Sequence, residues 1–298
     1  PIVPVASHME VFARGRQDFQ TQKRAPALIA ATAREPFLYP APTRVCGVTD
    51  RPVYYSDQLR NCVYNCDYCF LQGMHPSGHT MVFVNSEDVH AAARRIESPF
   101  WLSVSYLTDI VAFEETLPLV GQWLDVARTT PQMTLEIRTK GEAASIVRDE
   151  PVANAVLIWT LSPPLVADRY ERGCASFQNR LRAARTAVDR GWRVRIAVDP
   201  VIITPGWREA YASMLDETFA RLPAASVEAA TYGVFRMGPD FMSRIAAARA
   251  DSPILHHPFE RTKALVTYHA GEIDAVREVV GTRLHDALGP DAVTFVHG

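Results

Sequence analysis

Apolar positions along the chain fall into two regimes. Up to about residue 60 they are scattered; Pro36, Pro40, Pro42 and Pro52 interrupt them, and no helical period is sustained. From residue 80 onward, short apolar runs alternate with amphipathic stretches. The runs predict strands over 80–84, 100–105, 133–138, 155–161, 194–199, 228–235 and 292–296. The stretches predict helices over 88–97, 117–128, 141–148, 176–190, 207–221, 240–249 and 272–288. The helix over 176–190 opens on Ser176, a natural N-cap, and stops at Gly191.

Runs such as Ala155-Val156-Leu157-Ile158-Trp159 show no polar alternation, which suits parallel strands covered on both faces. Repeated βα units with short connections imply a parallel sheet. The expected architecture is α/β: a partial (β/α)6-type TIM barrel over 54–298, with an irregular N-terminal extension over 1–53. Functional residues then belong at the C-terminal ends of the strands and in the loops that follow.

Composition narrows the function. Hydrophobic residues make up 48% of the 298 positions and charged residues 21%, so a packed globular core is expected rather than disorder. The formal net charge of -2 disfavours a strongly basic nucleic-acid binder, leaving DNA a possible but disfavoured partner. No apolar run is long enough for a membrane span, and no signal-peptide centre is evident near the start. Five cysteines, Cys46, Cys62, Cys66, Cys69 and Cys174, are an odd number, and three crowd into one short segment. That distribution points to a metal site in a reducing, cytoplasmic setting rather than a disulfide scaffold.

The segment Cys62-Val-Tyr-Asn-Cys66-Asp-Tyr-Cys69 carries the most chemistry. Thiolates at C-x3-C-x2-C spacing can wrap one ion or cluster from a single loop. Zinc in a structural site takes four protein ligands, and His75 or His79 could supply the fourth. A [4Fe–4S] cluster is the other reading. Three cysteines leave one of its irons without a protein ligand and open to a substrate or cofactor. A non-catalytic zinc or iron–sulfur protein is the bland form of either reading.

The spacing, with Tyr68 just before the last cysteine, resembles the radical S-adenosylmethionine (SAM) superfamily. Further segments are similar to the spore photoproduct lyase family within it: Cys69-Phe70-Leu71-Gln72, Thr108-Asp109-Ile110-Val111, Arg138-Thr139-Lys140, Trp159-Thr160-Leu161-Ser162-Pro163, Arg169-Tyr170-Glu171 with Gly173, and Asp199-Pro200. The resemblance covers about residues 54–240. It implies that Cys62, Cys66 and Cys69 ligate a [4Fe–4S] cluster. It also implies that Tyr68, Phe70, Thr108, Arg138, Lys140, Thr160 and Asp199 surround SAM. Reductive cleavage of SAM would then give a 5′-deoxyadenosyl radical that takes a hydrogen atom from the substrate, with flavodoxin or ferredoxin as an electron donor. Lys140 suits the methionyl carboxylate as a compact cation, Thr160 a hydrogen bond to the same group, and Tyr68 the adenine or ribose. Their ordinary alternatives are a solvated strand-end lysine, a β-branched strand residue and a packing aromatic.

Two positions depart from the family pattern. A hydrogen-returning cysteine is expected three residues before Asp109, where this chain has Tyr106. The residue after the last cluster cysteine, a tyrosine in the family, is Phe70. Tyr106 and Cys174 are the substitute donor candidates. The lost thiol implies a changed substrate: a nucleoside- or sugar-like small molecule undergoing epimerisation or rearrangement in natural-product biosynthesis. The competing expectation is thymine-dimer reversal in DNA with a donor other than cysteine.

Overall fold

The computed structural model describes residues 2–41, 47 and 50–296. The apolar runs of the sequence become parallel strands. They are β3 (Phe100–Ser103), β4 (Met133–Thr139), β5 (Ala155–Thr160), β6 (Arg193–Val201), β7 (Val227–Val234) and β8 (Val293–Val296), preceded by β1 (Leu38–Pro40) and β2 (Val53–Ser56). The eight lie side by side in chain order. Only the β1–β2 pair is antiparallel; each later neighbour pair is parallel.

The sheet is open. Among the described residues, β1 pairs only with β2 and β8 only with β7, so a closed or TIM-type barrel is not established. The edges are built to end. Pro40 stands in β1 without a backbone donor, and β8 is only four residues long.

Three expectations are corrected. The run over 80–84 does form a strand, Thr80–Phe83, but outside the main sheet. It pairs parallel with Leu28–Ala31 and antiparallel with Leu59–Arg60. The first parallel strand is β2, which periodicity missed because Val53–Ser56 is too short to show a period. The stretch before it is not uniformly irregular, since it also contains helices Met9–Phe12 and Phe19–Arg24. The segment over 272–288 is helical but interrupted. Ala270–Val276 and Thr282–Leu288 flank a π-helical turn at Arg277–Gly281. There Gly281 packs so closely on Tyr232 that an added Cβ would stand 2.5 Å from the phenol oxygen. Pro42 and Cys46 lie outside the described residues.

Side-chain alternation sorts the sheet into two faces. Ala155, Leu157 and Trp159 of β5 join the large core, together with Trp123 of the helix Leu119–Arg128 and Leu181 of the helix Phe177–Asp189. Ser176 caps that second helix by accepting from the Asn179 N–H. Val156 and Ile158 point the other way, into a small cluster with Val53, Trp101 and Ala197. Each fully buried aliphatic side chain of this kind contributes about 1.5–3 kcal/mol. Toward the C-terminal strand ends this second face turns polar, through Ser103, Glu136, Arg138, Thr160 and Asp199, and there it opens into a cavity. No helix among the described residues is long and apolar enough to cross a membrane.

Candidate active site

The cavity measures about 490 Å³. One wall is the cysteine loop: Cys62, Cys66 and Cys69 all line it. The loop is pinned at several points. Asn61, at φ +69°, turns the chain into it; asparagine tolerates that left-handed conformation. Its side-chain amide donates to the Ser77 and His79 carbonyls, while its Oδ1 accepts from the Cys62 N–H. Cys66 pairs with Glu171 in a two-residue antiparallel ladder. Gln72 donates to the Cys66 carbonyl at 2.6 Å. Buried Arg249 reaches back from the C-terminal part of the chain to Asp67 at 2.8 Å and to Gln72 at 2.6 Å.

Behind the loop lies a buried charged network centred on Glu171. Its carboxylate accepts from the Tyr68 hydroxyl, from Lys140 Nζ at 2.9 Å, from Ser162 Oγ at 2.8 Å and from the Arg180 guanidinium. Burial alone would raise the Glu171 carboxyl, but Lys140 and Arg180 outweigh it and hold the group far below the usual carboxylate range. Burial would likewise lower the Lys140 ammonium; Glu171 reverses that and raises it. The Tyr68 hydroxyl is pushed up by burial and by the same carboxylate. Lys140 is thus held by protein groups while still lining the cavity.

Asp109 fixes the strand end that presents Lys140. It accepts from the Lys140 N–H at 2.7 Å and from the Thr139 hydroxyl at 2.9 Å. Burial raises its carboxyl to about 6, against the opposing pull of these hydrogen bonds. Thr108 also lines the cavity and donates to the Asn61 carbonyl at 2.8 Å. Arg138 borders the cavity with its Nε 3.4 Å from buried Glu136, which also accepts from Trp101 and Ser103. Asp199 forms a two-pronged pair with Arg236 at 2.7 and 2.9 Å, a geometry that fixes both planes.

Beside the cysteine loop the lining is aromatic, and Phe70 and Tyr106 pack in one cluster with Cys62 and Cys69. These two rings line the cavity, their centroids 6.3 Å apart. Tyr106 also stacks on Tyr55 at 4.7 Å, and Tyr55 on Tyr39 at 5.4 Å. Thr160, Phe235 and Met237 complete the surround.

Eleven of the twelve residues singled out from sequence therefore line one cavity, and Cys174 is the exception. The Cys174 sulfur stands 3.5 Å from Cys66 Sγ, behind the loop. That contact lowers the Cys66 thiol and raises Cys174, as expected when one sulfur donates to the other. The histidines considered as zinc ligands point elsewhere. His79 Nδ1 accepts from the Ala27 N–H, and His75 packs on Phe12. Among the described residues, no three His, Cys, Asp or Glu side chains gather as tightly as a single metal ion requires. Three thiols on one loop facing the cavity fit the open-iron cluster instead.

Sequence reasoning did not single out Glu171, Arg180, Ser162, Arg249, Lys23 or Tyr55 as site residues. Glu171 offered a signal, an acidic residue directly after a buried helix end. Ser162 and Arg180 meet Glu171 from nine positions to either side, whereas Arg249, Lys23 and Tyr55 depend on contacts between distant segments.

Comparison with known proteins bears on these assignments. The family model described as "Spore photoproduct lyase" matches residues 57–238. A curated spore photoproduct lyase from Geobacillus sp. is 24% identical over 180 residues, covering 57% of this chain and 52% of that protein, so the chain spans about half of its relative's length in the match. A solved cysteine-to-serine variant of spore photoproduct lyase superposes with TM-score 0.81 at 18% identity, covering 98% of this chain and 89% of the other. The same enzyme complexed with dinucleoside spore photoproduct gives 0.79 at 18% identity, over 98% and 88%. A double variant with bound AdoMet and dinucleoside spore photoproduct gives 0.76 at 18%, over 94% and 85%. With the family model covering more than half of its length, the chain belongs to the spore photoproduct lyase family of radical SAM enzymes, whose cofactors are a [4Fe–4S] cluster and AdoMet.

Proposed function

We propose that this protein is a radical SAM lyase that opens a thymine-dimer lesion of the spore-photoproduct type, with Tyr106 in place of the family's hydrogen-returning cysteine. The observation that carries this reading is Tyr106 lining the same cavity as Cys62, Cys66 and Cys69. The relatives solved with dinucleoside spore photoproduct favour such a lesion over the free nucleoside or sugar suggested by the missing thiol. Nothing in the comparisons supports an epimerase.

When bound, cluster and AdoMet together supply a 5′-deoxyadenosyl radical. The chain's own residues do the rest. Cys62, Cys66 and Cys69 hold the cluster. Lys140 and Thr160 would hold the methionyl carboxylate, and the Asp199–Arg236 pair, Arg138, Tyr68, Phe70 and Thr108 would supply the remaining contacts. The aromatic wall excludes water and offers flat surfaces to pyrimidine rings. Once the lesion's cross-link has broken, the thymine radical takes the phenolic hydrogen of Tyr106. The resulting phenoxyl radical regains one electron from the enzyme's reductant, of flavodoxin or ferredoxin type, and one proton from solvent.

The test is anaerobic reconstitution followed by addition of dithionite and AdoMet, with Cys66→Ala as control. Substrates are the dinucleoside lesion, an oligonucleotide carrying it, and free nucleosides. Thymine recovery together with 5′-deoxyadenosine from the lesion substrates supports the reading. Deuterium uptake from solvent into a nucleoside, with lesions untouched, would replace it by the small-molecule reading.

A further inference from the structure

The helix Phe19–Arg24 lies outside the sheet and supplies no cavity wall, yet it delivers one charged atom to the cysteine loop. Lys23 Nζ donates to the Cys62 carbonyl and stands 3.5 Å from Asn61 Oδ1. It also lies 5.4 Å from the Phe19 ring centroid. The side chain is half-buried, and its contact with Cys62 sets a positive charge against the loop that carries the three cluster cysteines. Removing a lysine charge from water is unfavourable. A neutral side chain could satisfy one carbonyl and one amide oxygen equally well. The charge itself is what this arrangement adds.

We infer that Lys23 is a positioning residue that sets the reduction potential of the cluster, its fixed positive charge favouring the reduced form. Reduction adds one electron, hence one negative charge, to a loop already carrying three thiolates. A cation beside the loop stabilises the more negative state, and net charge is among the factors that set iron–sulfur potentials. The buried cations near the loop are already committed. Arg249 is paired with Asp67, and Lys140 and Arg180 with Glu171. Lys23 has no carboxylate partner among the ion pairs of the described residues, so its charge acts on the thiolates themselves.

The experiment is an EPR-monitored redox titration of the full chain, reconstituted without oxygen and titrated without AdoMet or substrate. Its outcome is therefore independent of the proposed reaction. Lys23→Gln keeps a donor and loses the charge; Lys23→Arg keeps the charge; Lys23→Met is a second neutral form. A neutral variant that retains its iron should show a three- to tenfold lower ratio of reduced to oxidised cluster at fixed potential, tenfold being about 59 mV for a one-electron couple. Lys23→Arg should stay near the parent. Three results overturn the inference. One is an unshifted neutral variant. Another is an equal shift in the arginine and glutamine variants, which would make donor geometry the cause. The third is loss of iron from both neutral variants while arginine retains it, which would make the charge a requirement for holding the cluster rather than a setting of its potential.

Discussion

Two walls of one cavity are built on different physics. Behind the cysteine loop the support is ionic: Glu171 and Arg180 are fully buried, and Lys140 and Tyr68 carry the network out to the cavity lining. There Glu171 accepts four donors, and Lys140, Tyr68 and Arg180 each meet it from a different segment of the chain. The wall around Tyr106 is held by ring contacts, with Tyr55 stacked on one side and Phe70 at 6.3 Å. A buried ionic network allows little variation, because losing any partner strands a charge. Stacked rings are compatible with other side chains of similar shape. Both departures from the family pattern, Tyr106 and Phe70, fall on the aromatic wall, and the ionic wall keeps the family's Lys140 and Glu171. In the proposed reading, the difference separates a side committed to the cofactors from a side open to change in how the substrate radical is quenched.

The strongest way to break this contrast is Glu171→Gln. The change preserves shape but leaves the Lys140 and Arg180 charges buried without a counter-charge. Removing one partner of a buried pair costs about 3–5 kcal/mol. Chemical denaturation should show a loss of that order, with iron content after reconstitution falling alongside. Unchanged stability and iron content would mean that the network is incidental.

Asp109 gives the next effect, of order 3 kcal/mol for a carboxyl moved from 3.8 to about 6. The folded state holds this proton more tightly than the unfolded chain. Its stabilising contribution is therefore complete below pH about 4 and disappears as pH rises through about 6. Asp109→Asn removes the titration. Across pH 4 to 7 the parent should lose stability relative to Asp109→Asn, as measured by paired thermal melts. A constant difference between the two would show that burial does not govern this carboxyl.

On the aromatic wall, Tyr106→Phe keeps the ring and deletes the transferable hydrogen. Lesion repair should fall roughly 10²-fold, about 2.7 kcal/mol of barrier, while 5′-deoxyadenosine formation continues. Fold and cluster content should not change, in contrast to Glu171→Gln. A parallel fall in both products would place Tyr106 in binding rather than hydrogen return.

The two walls were not equally legible in the sequence. The cysteine spacing could be read because it is a local pattern, ligands on one loop, and Lys140, Thr160 and Asp199 were implied by short segments that resemble the family. Tyr106 stood out through its offset from Asp109. Lys23 and Tyr55 act through partners 39 and 51 positions away, and Glu171 draws Lys140 and Tyr68 from 31 and 103 positions away; periodicity carries no information about such pairings. Cys174 was named as a substitute donor candidate, whereas the fold places its sulfur against Cys66. The α/β part of the fold expectation holds, whereas the partial TIM-type barrel is not established, for a related reason. Repeated βα units specify parallel neighbours, but whether the two edges approach each other depends on β1 and β8, short strands of three and four residues.

The smallest change sharpens where the two walls meet. Gly233 lies in β7, beside the Asp199–Arg236 pair. A Cβ built there would stand 2.6 Å from the Val296 carbonyl, 2.8 Å from Asp199 Oδ1 and 2.9 Å from Arg236 Nη1. No real Cβ tolerates such contacts, so Gly233→Ala must displace either the β7–β8 ladder or the ion pair. Overpacking of this kind costs about 1–3 kcal/mol. The side chains of the pair are easier to move than a backbone carbonyl held in a parallel ladder, so the strain should fall on Asp199 and Arg236. Affinity for AdoMet should then weaken more than the melting temperature falls, measured by equilibrium binding to the reconstituted protein. Arg236→Lys, which loses the two-pronged geometry without crowding the strand, should reproduce the binding loss and leave stability near that of the parent. If Gly233→Ala instead lowers stability with AdoMet binding intact, the glycine serves the sheet edge alone, and the Asp199–Arg236 pair does not belong to the cofactor side.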